Sequence, residues 1–199
     1  LTSGSSSPTP RPLITLAAAR SLDYLLYPAL PVLIPDVVFH EATAAGKLGA
    51  QEILDWYRGH MDAVRIEPTD IFQRETALLE IQGGRLPRDL GERAAVELIR
   101  AYPLGEHERA LLLSDDRDAK RLVIIDPEKL ILLTTWDHLR QLEEAQRIQS
   151  ADAVIEAVRQ VGRNPPTRDL WSRHDPDIRD AVKTILARTR EPGPPERQT

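Results

Sequence analysis

Residues 110–126 read ALLLSDDRDAKRLVIID. The apolar run RALLLS stops at Asp115, Asp116 and Asp118, and a second apolar run, LVIID, follows within a few residues. Short continuous apolar runs of this kind are typical of parallel strands covered on both faces. In an open α/β sheet ligands collect outside the carboxyl ends of the strands, which is where Asp115 and Asp116 would stand. One stretch thus raises both the fold and the site.

Working outward, strands and helices alternate. PVLIP (31–35) predicts a short strand closed by Pro35, and DVVFHEATA a helix after it. AVRIEP predicts another strand. TDIFQRETALLEIQ predicts a helix with Thr69 as its capping residue. GAQEILDWYRGH is amphipathic, with Ile53, Leu54 and Trp56 or Tyr57 facing inward. PLITLAAARSLDYLL, LGERAAVELIRAYP, TTWDHLRQLEEAQ and SADAVIEAVRQVG predict further helices. GGRLPRD is a loop. The fold class expected is α/β: a three-layer arrangement with a mostly parallel central sheet flanked by helices.

The ends differ in composition. Residues 1–11, LTSGSSSPTPR, are Ser/Pro-rich and expected to be flexible or not native to the protein. The domain proper is expected over 12–162. NPPTRDLWSR interrupts the pattern before a last helix at about 177–188, so 163–188 is expected as a C-terminal helical extension. The Pro-rich 189–199 is expected to be disordered.

The chain has 199 residues, enough for one domain with a sizeable core, and 41% are apolar, which excludes a disordered composition. The expectation is a soluble, cytoplasmic protein without a membrane span or secretory signal. No cysteine is present, which excludes a disulfide framework and thiolate metal sites. A net charge of −5 argues against a nucleic-acid-coating surface but leaves room for an enzyme with an acidic centre and a basic rim.

Two further acids are placed to join Asp115 and Asp116: Glu41 on the helix after PVLIP, and Glu92 in the first turn of LGERAAVELI. Converging carboxylates repel one another unless a cation neutralises them. An oxygen-only set suits Mg²⁺ or Mn²⁺, which can activate water and stabilise charge on a phosphodiester. Blander roles stand beside this. Asp115 or Asp116 can cap the helix that DRDAKR begins, and Glu92 can be a first-turn acid favoured by the helix dipole. The five histidines show no metal-ligand spacing and read as structural or surface residues.

Taken in order, PLITLAAARSLDYLL, PVLIPDVVFHEAT, DLGERAAVELI, ALLLSDDRDAKRL and LILLTTWDHLRQLEEAQRIQSADAVIEAVRQVG resemble the PIN domain of VapC-type toxin ribonucleases, in its branch of small prokaryotic PIN-like proteins. The likeness spans about 12–162. It implies cleavage of single-stranded RNA with Mg²⁺ or Mn²⁺ by the toxin of a toxin–antitoxin pair, with RNA, an antitoxin and a second copy as partners. Carried over by position, Glu41, Glu92 and Asp116 would be catalytic acids. The same three with Asp115 would hold the metal, and Asp89 would play a secondary part. Lys120 and Arg121 would meet backbone phosphates. Where the family ends its first strand with an aspartate, Thr9 stands, and SGSSSPT lacks the apolar strand that should precede it.

Two other functions fit the same residues. One is a catalytically impaired PIN-fold module that binds RNA or protein, suggested by Thr9 and the C-terminal helix. The other is a metal-dependent enzyme on small phosphorylated substrates. Trp136, Trp171 and Tyr27 are candidates for self-association, with the core the expected place for Trp136.

Overall fold

The computed structural model describes residues 6–8, 10–105, 109–116, 130–165 and 180. Its frame is a five-stranded, all-parallel sheet of β1 (Ser6–Pro8), β2 (Val32–Pro35), β3 (Val64–Glu67), β4 (Ala110–Leu113) and β5 (Leu130–Leu133), in the order β3-β2-β1-β4-β5. Among the described residues seven α-helices surround it: α1 (Pro10–Ala18), α2 (Asp36–Thr43), α3 (Ala50–Gly59), α4 (Asp70–Gln82), α5 (Leu90–Ala101), α6 (Thr135–Glu144) and α7 (Ala151–Gln160). None of the described helices is long and apolar enough to cross a membrane.

The apolar runs form strands because both of their faces are covered. Leu111, Leu113, Ile131 and Leu133 join one core with α1, α2, α6 and α7. Ala110, Leu112, Leu130 and Leu132 join a second with Ala95 and Ile99 of α5. Successive strand residues point to opposite faces, so these two cores sandwich β4 and β5.

Three expectations need correction. Residues 1–11 are not uniformly flexible: Ser6–Pro8 is the central strand, in register with Val32 on one side and Leu111–Leu113 on the other, and α1 begins at Pro10. So short a strand is specified by backbone ladders on both sides, and Pro8, which has no N–H for a ladder, comes last. LILL, read only as part of a closing helical segment, is strand β5. The helix expected from PLITLAAARSLDYLL stops at Ala18, and a 3₁₀ turn covers Leu22–Leu25. Arg20 adopts φ 53°, and Arg20 and Ser21 donate back to Ala17 and Leu16, closing the helix with a left-handed C-terminal turn.

The strand expected from LVIID lies outside the described residues, as do Trp171 and, apart from helical Asp180, the last helix. The domain also continues past 162. Arg163 Nε donates to Thr15 Oγ1 at 3.3 Å and Nη2 to the Arg11 carbonyl at 3.4 Å, fastening the end of α7 to the start of α1. Trp136 is buried, as expected.

Candidate active site

The chain builds β1, β2 and β3 in one direction, then returns to place β4 on the other side of β1. In open α/β sheets such a reversal is where ligands bind, at the carboxyl ends here of β1 and β4. Arg11 follows β1, and Asp115 and Asp116 follow β4.

The two adjacent aspartates do different work. Asp115 is buried, and both of its oxygens accept from Thr135 at the start of α6: Oδ1 from the backbone N–H and Oδ2 from the hydroxyl, each at 2.8 Å. Burial raises its pKa, opposed by these bonds and then by the positive charges of Arg163 and Arg11. The capping role weighed for Asp115 is therefore real, but it serves the helix after β5. Asp116 is one-third exposed, its N–H donates to Ser114 Oγ at 3.2 Å, and its Oδ2 lies 3.9 Å from Arg11 Nη2.

A matching clasp holds the other half of the sheet. Asp36, just after β2, accepts from the N–H and hydroxyl of Thr69, just after β3, at 3.1 and 2.7 Å. Thr69 consequently does not cap α4 with its side chain, as the sequence led us to expect. Glu97 of α5 accepts from the first N–H groups of α4 instead, Asp70 at 2.6 Å and Ile71 at 3.1 Å.

Glu41 and Glu92 stand on the helices α2 and α5. Glu41 is half-buried on α2, and desolvation raises its pKa against the opposing charges of Lys47 and His40. Glu92 is half-buried in the first turn of α5. Desolvation is the main cause of its raised pKa. Its own backbone N–H opposes this, whereas the negative charges of Asp116, Glu41 and Asp89 add to it. The fold thus brings Asp116, Glu41 and Asp89 within electrostatic reach of Glu92. Titratable groups perturbed by desolvation and a charge partner are candidates for a functional site.

The carboxylates of Glu41, Glu92 and Asp116 are hard oxygen donors of the kind a divalent cation takes. As the side chains stand, no three His, Asp or Glu residues among those described are close enough to hold one ion together, so binding requires the carboxylates to draw in. Thr9, Lys120 and Arg121 lie outside the described residues. Sequence reasoning missed Arg11, Arg163 and Thr135. The available signal was Arg11, a basic residue in the first turn of a helix that has no acid there.

Compared with known proteins, the chain matches no family model, no curated protein and no solved structure.

Proposed function

We propose that this edge of the sheet is the active site of a metal-dependent ribonuclease of PIN type acting on single-stranded RNA. The observation that carries the reading is Glu92, desolvated at the reversal point of the sheet and facing the charges of Asp116, Glu41 and Asp89. Such an arrangement costs stability in the free protein, and a cation relieves it. Glu41, Glu92 and Asp116 would hold Mg²⁺ or Mn²⁺, with Asp89 at the margin. The bound ion would supply charge neutralisation and an acidified water. The protein's own contribution is to exclude water around Glu92, to orient Asp116 through Ser114, and to fix the strand ends through Asp115 and Thr135. The toxin–antitoxin setting rests on the sequence resemblance alone.

A second reading, an impaired module that binds RNA or protein, is favoured by Arg11, whose guanidinium stands where positive charge is wanted beside Asp116. One experiment separates the two. A mixed single-stranded RNA pool is incubated with the protein in Mg²⁺, Mn²⁺ or EDTA, beside Asp116→Asn. Metal-dependent cutting that the substitution abolishes is expected. Cutting indifferent to EDTA or to Asp116→Asn overturns the site assignment. RNA binding that survives EDTA, with no cutting under either metal, establishes the binding module.

A further inference from the structure

Helix α4 is apolar on two faces, and the fold accounts for one of them. Ile71 and Phe72 pack into the main core, and Leu79 on the same side is half-buried. The opposite side carries Arg74, Ala77, Leu78 and Ile81, and all four are exposed, Ile81 at 81%. Their spacing of i, i+3, i+4 and i+7 gathers them into one stripe. Among the described elements α5 is the main neighbour of α4, and its Glu97 accepts from the first N–H groups of α4. A surface helix turns a polar face to water, whereas one that is apolar on both sides is covered on both.

The charges beside the stripe fit a copy of the same helix. Arg74 and Glu80 are both exposed, and among the described residues neither side chain makes a hydrogen bond or an ion pair within the chain. Two α4 helices can run antiparallel about a two-fold axis between Ala77 and Leu78. Leu78 then meets the small Ala77 of the second copy, and Arg74 stands level with its Ile81, beside its Glu80. The symmetry gives each contact twice. The Arg74 stem covers Ile81 while the guanidinium reaches Glu80. A parallel two-fold pair would instead set Arg74 against Arg74 and Glu80 against Glu80.

We propose that the exposed stripe of α4 is an isologous interface with a second copy of this chain, the two α4 helices running antiparallel. This interface is independent of the nuclease reading. One helix from each copy makes a small contact, so the association belongs to the weak, concentration-dependent class.

Sedimentation equilibrium of the full chain from micromolar to millimolar concentrations tests it, beside Ile81→Glu, Arg74→Glu, Glu80→Arg and the double variant Arg74→Glu/Glu80→Arg. All three positions are exposed, so circular dichroism and the urea midpoint should stay native. A monomer–dimer equilibrium is expected for the native chain. Ile81→Glu should weaken it at least about tenfold, and each single charge variant about three- to tenfold. The double variant, which exchanges the two charges, should return to within about threefold of the native constant. A native chain that stays monomeric throughout overturns the proposal. Self-association that ignores Ile81→Glu lies on another face and overturns it as well. Weakening by both single charge variants with no recovery in the double variant overturns the antiparallel pairing.

Discussion

The starts of α5 and α6 both gather carboxylates at the carboxyl edge of the sheet, and they use them in opposite ways. At α6 nearly every acid is engaged. Thr134 and Asp137 cap each other reciprocally, with the Asp137 N–H donating to Thr134 Oγ1 at 3.0 Å and Thr134 Oγ1 donating to Asp137 at 2.7 Å. Asp115 holds the N–H and hydroxyl of Thr135. At α5 the N-cap Asp89 makes no side-chain cap, and Glu92 faces like charges in a desolvated position. A cap of that kind contributes about 1 kcal/mol, and α5 forgoes it. Asp115 and Asp137, each bound to a threonine, make a fixed wall, whereas Glu92 is held only by its own backbone N–H against the charges around it.

The largest effect expected from this contrast is on Asp115. Asp115→Ala leaves the buried Thr135 N–H and hydroxyl without their acceptor. It should cost about 3–5 kcal/mol of unfolding free energy, since each is a hydrogen bond to a charged, desolvated group. Urea denaturation measures it. A loss under 1 kcal/mol would mean that Asp115 is not structural, and the contrast with α5 would collapse.

Acid pH should pull the two regions apart. His138 on α6 is fully buried, its Nε2 donates to the Tyr24 carbonyl at 2.9 Å, and burial lowers its pKa to about 4. Between its unfolded value of about 6.5 and about 4, the unfolded chain takes up a proton that the folded chain refuses. Stability from this group is present above that window and is lost on acidification, by on the order of 3 kcal/mol. Glu41, Glu92 and Asp115 run the other way. Their folded pKa values are raised, so the folded state binds protons first and gains relative stability as pH falls through those values. Denaturation midpoints of the native protein and His138→Gln across this range should diverge, with the variant flatter. Parallel curves would remove His138 as the acid-labile point.

The second clasp gives a smaller test. Asp36→Ala removes the acceptor for the Thr69 N–H and hydroxyl, but Asp36 is half-exposed and water can replace part of the loss. A cost of about 1–2 kcal/mol is expected, below that of Asp115→Ala. If the order were reversed, the β2–β3 side would be the stiffer half of the sheet.

Much of the frame was legible in the sequence because apolar periodicity encodes burial directly. PVLIP, AVRIEP and RALLLS gave β2, β3 and β4, and Ile53 and Trp56 face the core as their spacing required. The central strand Ser6–Pro8 was not legible, because ladders on both sides hold it and no local pattern encodes that. The same holds within the site. Glu41, Glu92 and Asp116 were singled out by their places after strands or at a helix start, and Glu92 does feel the charges of the other two. That Asp115 would be tied while its neighbour stays one-third exposed depended on pairing β4 with β5, with Leu113 opposite Leu133. Only that register sets Asp115 against Thr135. Arg11 was passed over for a related reason, since its place beside Asp116 rests on β1 and β4 being adjacent.

The smallest effect on stability falls on the residue expected to matter most for function. Glu92→Gln keeps the shape of the side chain and removes one charge from a desolvated cluster. Stability at neutral pH should therefore be unchanged or rise by up to about 1 kcal/mol, the sign opposite to Asp115→Ala. The gain should shrink on acidification, because protonated Glu92 in the native protein already lacks that charge. Mn²⁺ should stabilise the native protein in thermal melts and stabilise Glu92→Gln less, since the variant has one carboxylate fewer to offer. If Glu92→Gln instead loses several kcal/mol and Mn²⁺ shifts both proteins equally, Glu92 belongs with Asp115 as a structural acid, and α5 and α6 would be two versions of the same wall.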